Sequence, residues 1–87
     1  MSGKLTIIPV GGPISVETFD GEEPGLERMQ ELVGGYIEVV YPRAPMPFDY
    51  TVVNEEGLLL QLPLNHLATG LAGAQYVGTV LLVSNDA

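Results

Sequence analysis

The chain has 87 residues, which bounds it to one domain spanning residues 1–87, with no room for a second independent core. Eleven acidic residues against Lys4, Arg28 and Arg43 give a formal charge of −8, so no basic patch exists to displace counterions from nucleic acid or to hold an anionic membrane. With no cysteine there is no disulfide framework, thiolate metal site or cysteine nucleophile, while 46% hydrophobic residues suffice for a packed interior.

Met1 to Val10 carries neither a charged leader nor a long apolar run, so no signal peptide is expected. The apolar stretch near the C-terminus is broken by glycines and too short to span a bilayer. A soluble, cytoplasmic protein is the expectation. Six of the acids fall between Glu17 and Glu31, which reads as a solvated, negative half of the molecule.

In chain order, Lys4 to Val10 is the first expected strand, ended by Pro9, which cannot donate to a ladder. Gly11-Gly12-Pro13 turns the chain, and the alternation in Ile14 to Phe19 predicts a second strand paired with the first as a hairpin. After the polar loop Asp20 to Gly25, Leu26, Met29, Leu32 and Val33 recur at helical spacing. Pro24 suits the first helical turn, Glu22, Glu23 and Glu27 suit its N-terminal dipole, and Arg28 stands three residues from Glu31. Gly34 fits a left-handed helix end, and Gly35 gives a second free joint. The helix Leu26 to Val33 is the principal one, and Leu32 to Val40 is the stretch the fold is organised around.

Tyr36 to Tyr41 is the next expected strand. Pro42 to Pro47 carries three prolines in six residues and reads as an extended surface loop. Asp49 to Asn54 and Leu58 to Leu62 are expected to form a hairpin about Asn54-Glu55-Glu56-Gly57. Leu64 to Leu71 supports one or two helical turns, with Asn65 as N-cap and Gly70 and Gly73 as terminators. Tyr76 to Val83, apolar on both faces, is a central strand or one covered by the helix, and Ser84 to Ala87 is a polar tail. The prediction is an α+β domain: a mostly antiparallel sheet of about five or six strands with one principal helix on one face. Leu26, Met29, Leu32, Ile37, Val39, Val52, Leu59, Val80 and Leu82 are the expected core.

Four segments, LVGGYIEVV at Leu32 to Val40, NEEG at Asn54 to Gly57, LPLN at Leu62 to Asn65 and VGTVLLV at Val77 to Val83, occur in the order seen in a small family. Over roughly Leu26 to Val83 the chain resembles domain of unknown function 3846, found in phages, prophages, plasmids and other mobile elements. The proline loop is longer than the family pattern. The resemblance carries no catalytic residues and implies a mobile-element setting, in which small accessory proteins bind a host protein or sequester a signal molecule.

Candidate chemistry is sparse. His66 is the only histidine and has no Ser, Cys or carboxylate at motif spacing, so it reads as a surface or structural residue. Glu55-Glu56 supplies too few oxygens for a metal, and Gly34-Gly35 follows a helix where a phosphate cradle precedes one. Neither metal nor cofactor is expected. Arg43 is the stronger candidate: it lies between Tyr41 and Phe48-Asp49-Tyr50, where a guanidinium beside aromatic rings suits a base and its phosphate. The plain alternative is a surface arginine packed along Tyr41 or paired with Asp49. Arg43, Tyr41, Phe48, Tyr50 and Asn65 are the candidate binding residues.

The functional expectation is a non-enzymatic binding protein that modulates a host defence system through a protein–protein surface. Sequestration of a small nucleotide-like ligand at an Arg/Tyr pocket is the alternative, and an uncharacterised enzyme the third class. A homodimer is expected too, because the double-faced last strand needs cover on both sides while only one clear helix exists to supply it.

Overall fold

The computed structural model describes residues 2–85. Five strands, β1 (Ser2–Ile8), β2 (Ser15–Asp20), β3 (Ile37–Val40), β4 (Tyr50–Asn54) and β5 (Val80–Asn85), accompany two helices, α1 (Leu26–Val33) and α2 (His66–Ala72). The strands form one sheet in the order β2-β1-β5-β4-β3, and every neighbouring pair is antiparallel. This is the expected α+β domain with an antiparallel sheet and one principal helix.

The period of two sorts the sheet residues onto two faces. Leu5, Ile7, Val52, Leu81 and Val83 point to the α1 face and pack with Met29 and Val33. Ile8, Val53, Val80 and Leu82 point the other way and pack with Ala68 of α2 and with Phe48 of the proline loop. All four of Val80, Leu81, Leu82 and Val83 are buried, which is why the sequence of β5 is apolar without alternation. Each such side chain taken out of water contributes about 1.5–3 kcal/mol.

Helix α1 begins at Leu26 as expected, behind Gly25 and two residues after Pro24, and it has no side-chain N-cap. Gly34 closes it at φ 82°, and the N–H groups of Gly34 and Gly35 both donate to the Gln30 carbonyl at 2.9 and 3.1 Å. Arg28 joins the helix to β2. Its Nε donates to Glu17 at 3.0 Å, its Nη2 makes a second bond to the same carboxylate, and Nη1 reaches Glu31 at 3.1 Å.

Several expectations are corrected. Leu58 to Leu62 is not a strand: the chain coils through turns, with Leu60 N–H donating to the Glu56 carbonyl at 2.9 Å and Leu62 N–H to that of Gly57 at 3.0 Å. The last strand starts at Val80 rather than Tyr76, because Gly78 adopts φ 73° against Leu62; Val77 makes only an isolated bridge with Leu64. Ser84 and Asn85 belong to β5 instead of a tail, while the tail residues Asp86 and Ala87 lie outside the described residues. Gly70 lies inside α2, and Gly73 alone ends it. Of the expected core, Met29, Val52, Val80 and Leu82 are buried and Leu32 and Ile37 pack against it. Leu26, Val39 and Leu59 are exposed: the first heads a short helix at its outer end, the second sits on the edge strand, and the third is on the coiled turn.

Candidate functional site

Where the expected hairpin fails, a surface feature appears. The backbone N–H of Glu56 donates to Asn54 Oδ1 at 2.8 Å, and Asn54 Nδ2 donates to the Val33 carbonyl at 3.1 Å. Asn54 is buried, so one side chain ties the end of α1, the end of β4 and the following turn together. Gly35 passes close above it; a Cβ there would come within 3.1 Å of the Asn54 amide. The turn so rooted holds Leu58 and Leu59 in solvent, 82% and 81% exposed. Adjacent exposed apolar side chains form a patch of the kind that marks interaction surfaces.

Two cavities open on the α2 face beside this turn. One, of about 480 Å³, lies between Glu38 and Val40 of β3, the Glu55–Leu59 turn and the segment 74–77. The other, of about 520 Å³, is bounded by the proline loop, Thr51, Ala72 and Tyr76. Val40, Ala74 and Tyr76 line both, so the two adjoin along the face of β3. The first carries the carboxylates Glu38, Glu55 and Glu56, and the second carries Arg43. Between them the Thr51 and Tyr76 hydroxyls meet at 3.1 Å, and Thr51 also donates to the Val40 carbonyl.

The structure brings only part of the predicted set together. Arg43 and Phe48 line the second cavity, with Tyr41 at its rim. Phe48 is buried and forms part of the packed wall, so it offers no free stacking face. Tyr50 lies on the opposite face of the sheet, packed against the α1 core, and its ring meets that of Tyr41 with centroids 5.8 Å apart at 55°. Burial raises the Tyr50 phenol above its ordinary value, with Glu23, Tyr41 and Asp49 pushing the same way. Asn65 is fully buried and is a structural residue. Its Nδ2 donates to the carbonyls of Ile8 and Gly78, both at 2.8 Å, and its Oδ1 accepts from Ala68 N–H at 3.0 Å as the cap of α2.

Among the described residues Arg43 makes no ion pair, and Asp49, its expected partner, instead accepts from the Asn85 N–H at 2.8 Å. His66 is exposed at the start of α2. Among the described residues no group of three or more His, Asp or Glu is placed to hold a metal ion, and no helix is long and apolar enough to cross a membrane. The leucine turn, Glu38 and the Thr51–Tyr76 pair were not anticipated. Three consecutive leucines directly after an acidic turn and before Gln61 are the signal for the first, since no polar residue alternates with them to define a half-buried strand.

A family described as domain of unknown function (DUF3846) matches residues 3–87, so the likeness extends over the β1–β2 hairpin as well as the segments that first suggested it. No curated protein and no solved structure matches the chain.

Proposed function

The chain belongs to the DUF3846 family, and from that premise we propose that it is a non-enzymatic binding protein of a phage or mobile element, acting in the host cytoplasm on a protein of a host defence system. The observation that carries this reading is the exposed Leu58–Leu59 turn beside the apolar, acid-rimmed cavity of β3. Exposed apolar side chains held by a buried bracket cost solubility and gain nothing inside the monomer. Covered by a partner, they return about 1.5–3 kcal/mol each.

The homodimer has lost its first argument, since α1 and α2 cover the two faces of β5 within one chain. A second copy remains an occupant that the tests below distinguish. A second reading rests on Arg43: about 520 Å³ is a fitting size for a small ligand, and a guanidinium that makes no ion pair among the described residues, in a cavity also lined by the hydroxyl-bearing Thr51 and Tyr76, suits a nucleotide-like anion. Affinity purification of the tagged protein from host cells, with mass spectrometry of the same material after denaturation, separates the two. A stoichiometric host protein supports the first reading; a released small anion with no protein supports the second; neither removes both.

A further inference from the structure

We propose that the free edge of β3 accepts an extended, basic segment of a partner protein as a sixth strand, its alternate apolar side chains entering the cavity of about 480 Å³. This rests on the protein-binding reading and names the partner's chemistry. Among the described residues β3 pairs only with β4, which leaves one row of its backbone N–H and C=O groups to extend the ladder. Added strands take affinity from those main-chain bonds and specificity from pockets for alternate side chains.

Beside this edge the structure supplies such a pocket and an apolar border. Tyr36 and Tyr41 flank β3 at 68% and 71% exposure, and Leu58 and Leu59 stand over the cavity. Tyrosine is among the residues enriched where interfaces close. Charge selects the occupant. Glu38, Glu55 and Glu56 rim the cavity, and the whole chain carries a formal charge of −8. A segment that carries Lys or Arg in the same cavity-facing row as its apolar residues complements that rim. A second copy brings the same carboxylates and the same net charge to the edge, which opposes it.

The probe is a Lys/Val peptide, an acetylated, amidated ten-residue segment with Thr at every second position and Lys, Val, Val, Val and Lys at those between, so that Lys and Val share the cavity-facing side, titrated into the ¹⁵N-labelled protein. Controls are the Glu/Val peptide and a Lys/Val peptide N-methylated along one edge. Shifts confined to residues 36–41, 55–59 and 74–77, absent with both controls, are expected. Combining Glu38→Lys with Glu55→Lys, both exposed, weakens binding about tenfold, while Glu22→Lys with Glu23→Lys changes the net charge equally and weakens it far less. No binding, equal binding of the Glu/Val or N-methylated peptide, or shifts centred on β2 or α1 overturn the proposal. So does a peptide-free dimer joined at β3, which assigns the edge to a second copy. If a host protein is captured as readily by the Glu38→Lys, Glu55→Lys variant, the protein-binding reading stands and the edge assignment alone fails.

Discussion

Asn54 Oδ1 accepts the backbone N–H of Glu56 at 2.8 Å, and through this one bond the exposed leucine turn is rooted in the buried end of β4. The same side chain's Nδ2 holds the Val33 carbonyl at the end of α1, so the helix terminus and the turn share a bracket. Replacing Asn54 with Ala leaves a carbonyl without its donor and frees the turn. A loss of about 1–3 kcal/mol in urea unfolding is expected, with faster amide exchange at residues 56–60. Asn54→Asp keeps the acceptor for Glu56 but loses the donor to Val33, so it protects the turn while still lowering stability.

Asn65 gives a sharper test because it is fully enclosed. Asn65→Ala strips donors from the Ile8 and Gly78 carbonyls and uncaps α2, a loss of about 2–5 kcal/mol. Asn65→Asp retains the cap but turns a carboxylate oxygen toward two carbonyls in a fully buried site, which raises the carboxyl pKa in the folded state. A raised folded-state pKa stabilises below the unfolded value and is lost as pH rises. The deficit of Asn65→Asp relative to the parent should therefore shrink from pH 7 toward pH 4, whereas that of Asn65→Ala should not, as read from urea midpoints at each pH.

Tyr50 sets the alkaline limb. Its phenol is raised above 10.0, chiefly by burial. The unfolded chain deprotonates first, so the stability this group contributes is intact below about pH 10 and falls as pH climbs toward the folded-state value. Relative to Tyr50→Phe, which does not titrate, the parent should lose stability steadily from pH 10 upward. A constant difference between the two across that window contradicts the packing of Tyr50 against the α1 core.

Much of what the sequence disclosed followed from burial. Strand β1, the α1 stripe of Met29 and Val33 and the central place of β5 announce themselves because covered faces impose their patterns, whereas the largely exposed β2 is read from its alternation and the Gly34 helix end from the glycine that its left-handed φ of 82° favours. The Asn65 cap was legible as a local motif, yet its reach to Ile8 was not, because that carbonyl lies 57 residues away in the chain. Leu58 to Leu62 misled for the converse reason. An apolar run predicts a strand only if something buries it, and here Gly57, packed against Val77 and the Asn54 carbonyl, starts a coil that leaves the leucines outside. Arg43 was singled out by its aromatic neighbours in sequence, but the alternation along β4 sends Tyr50 to the far face.

The most direct measurement compares capture of host protein by the parent with capture by a variant carrying Leu58→Ser and Leu59→Ser, quantified by mass spectrometry at matched bait loading. Both leucines are exposed, so the substitutions should shift folding stability by no more than about 0.5 kcal/mol, verifiable by thermal melting. A folded variant that loses the partner more than about tenfold, the equivalent of about 1.4 kcal/mol, is the predicted result. A folded variant that retains the partner at the parent's level contradicts the assignment of function to this surface.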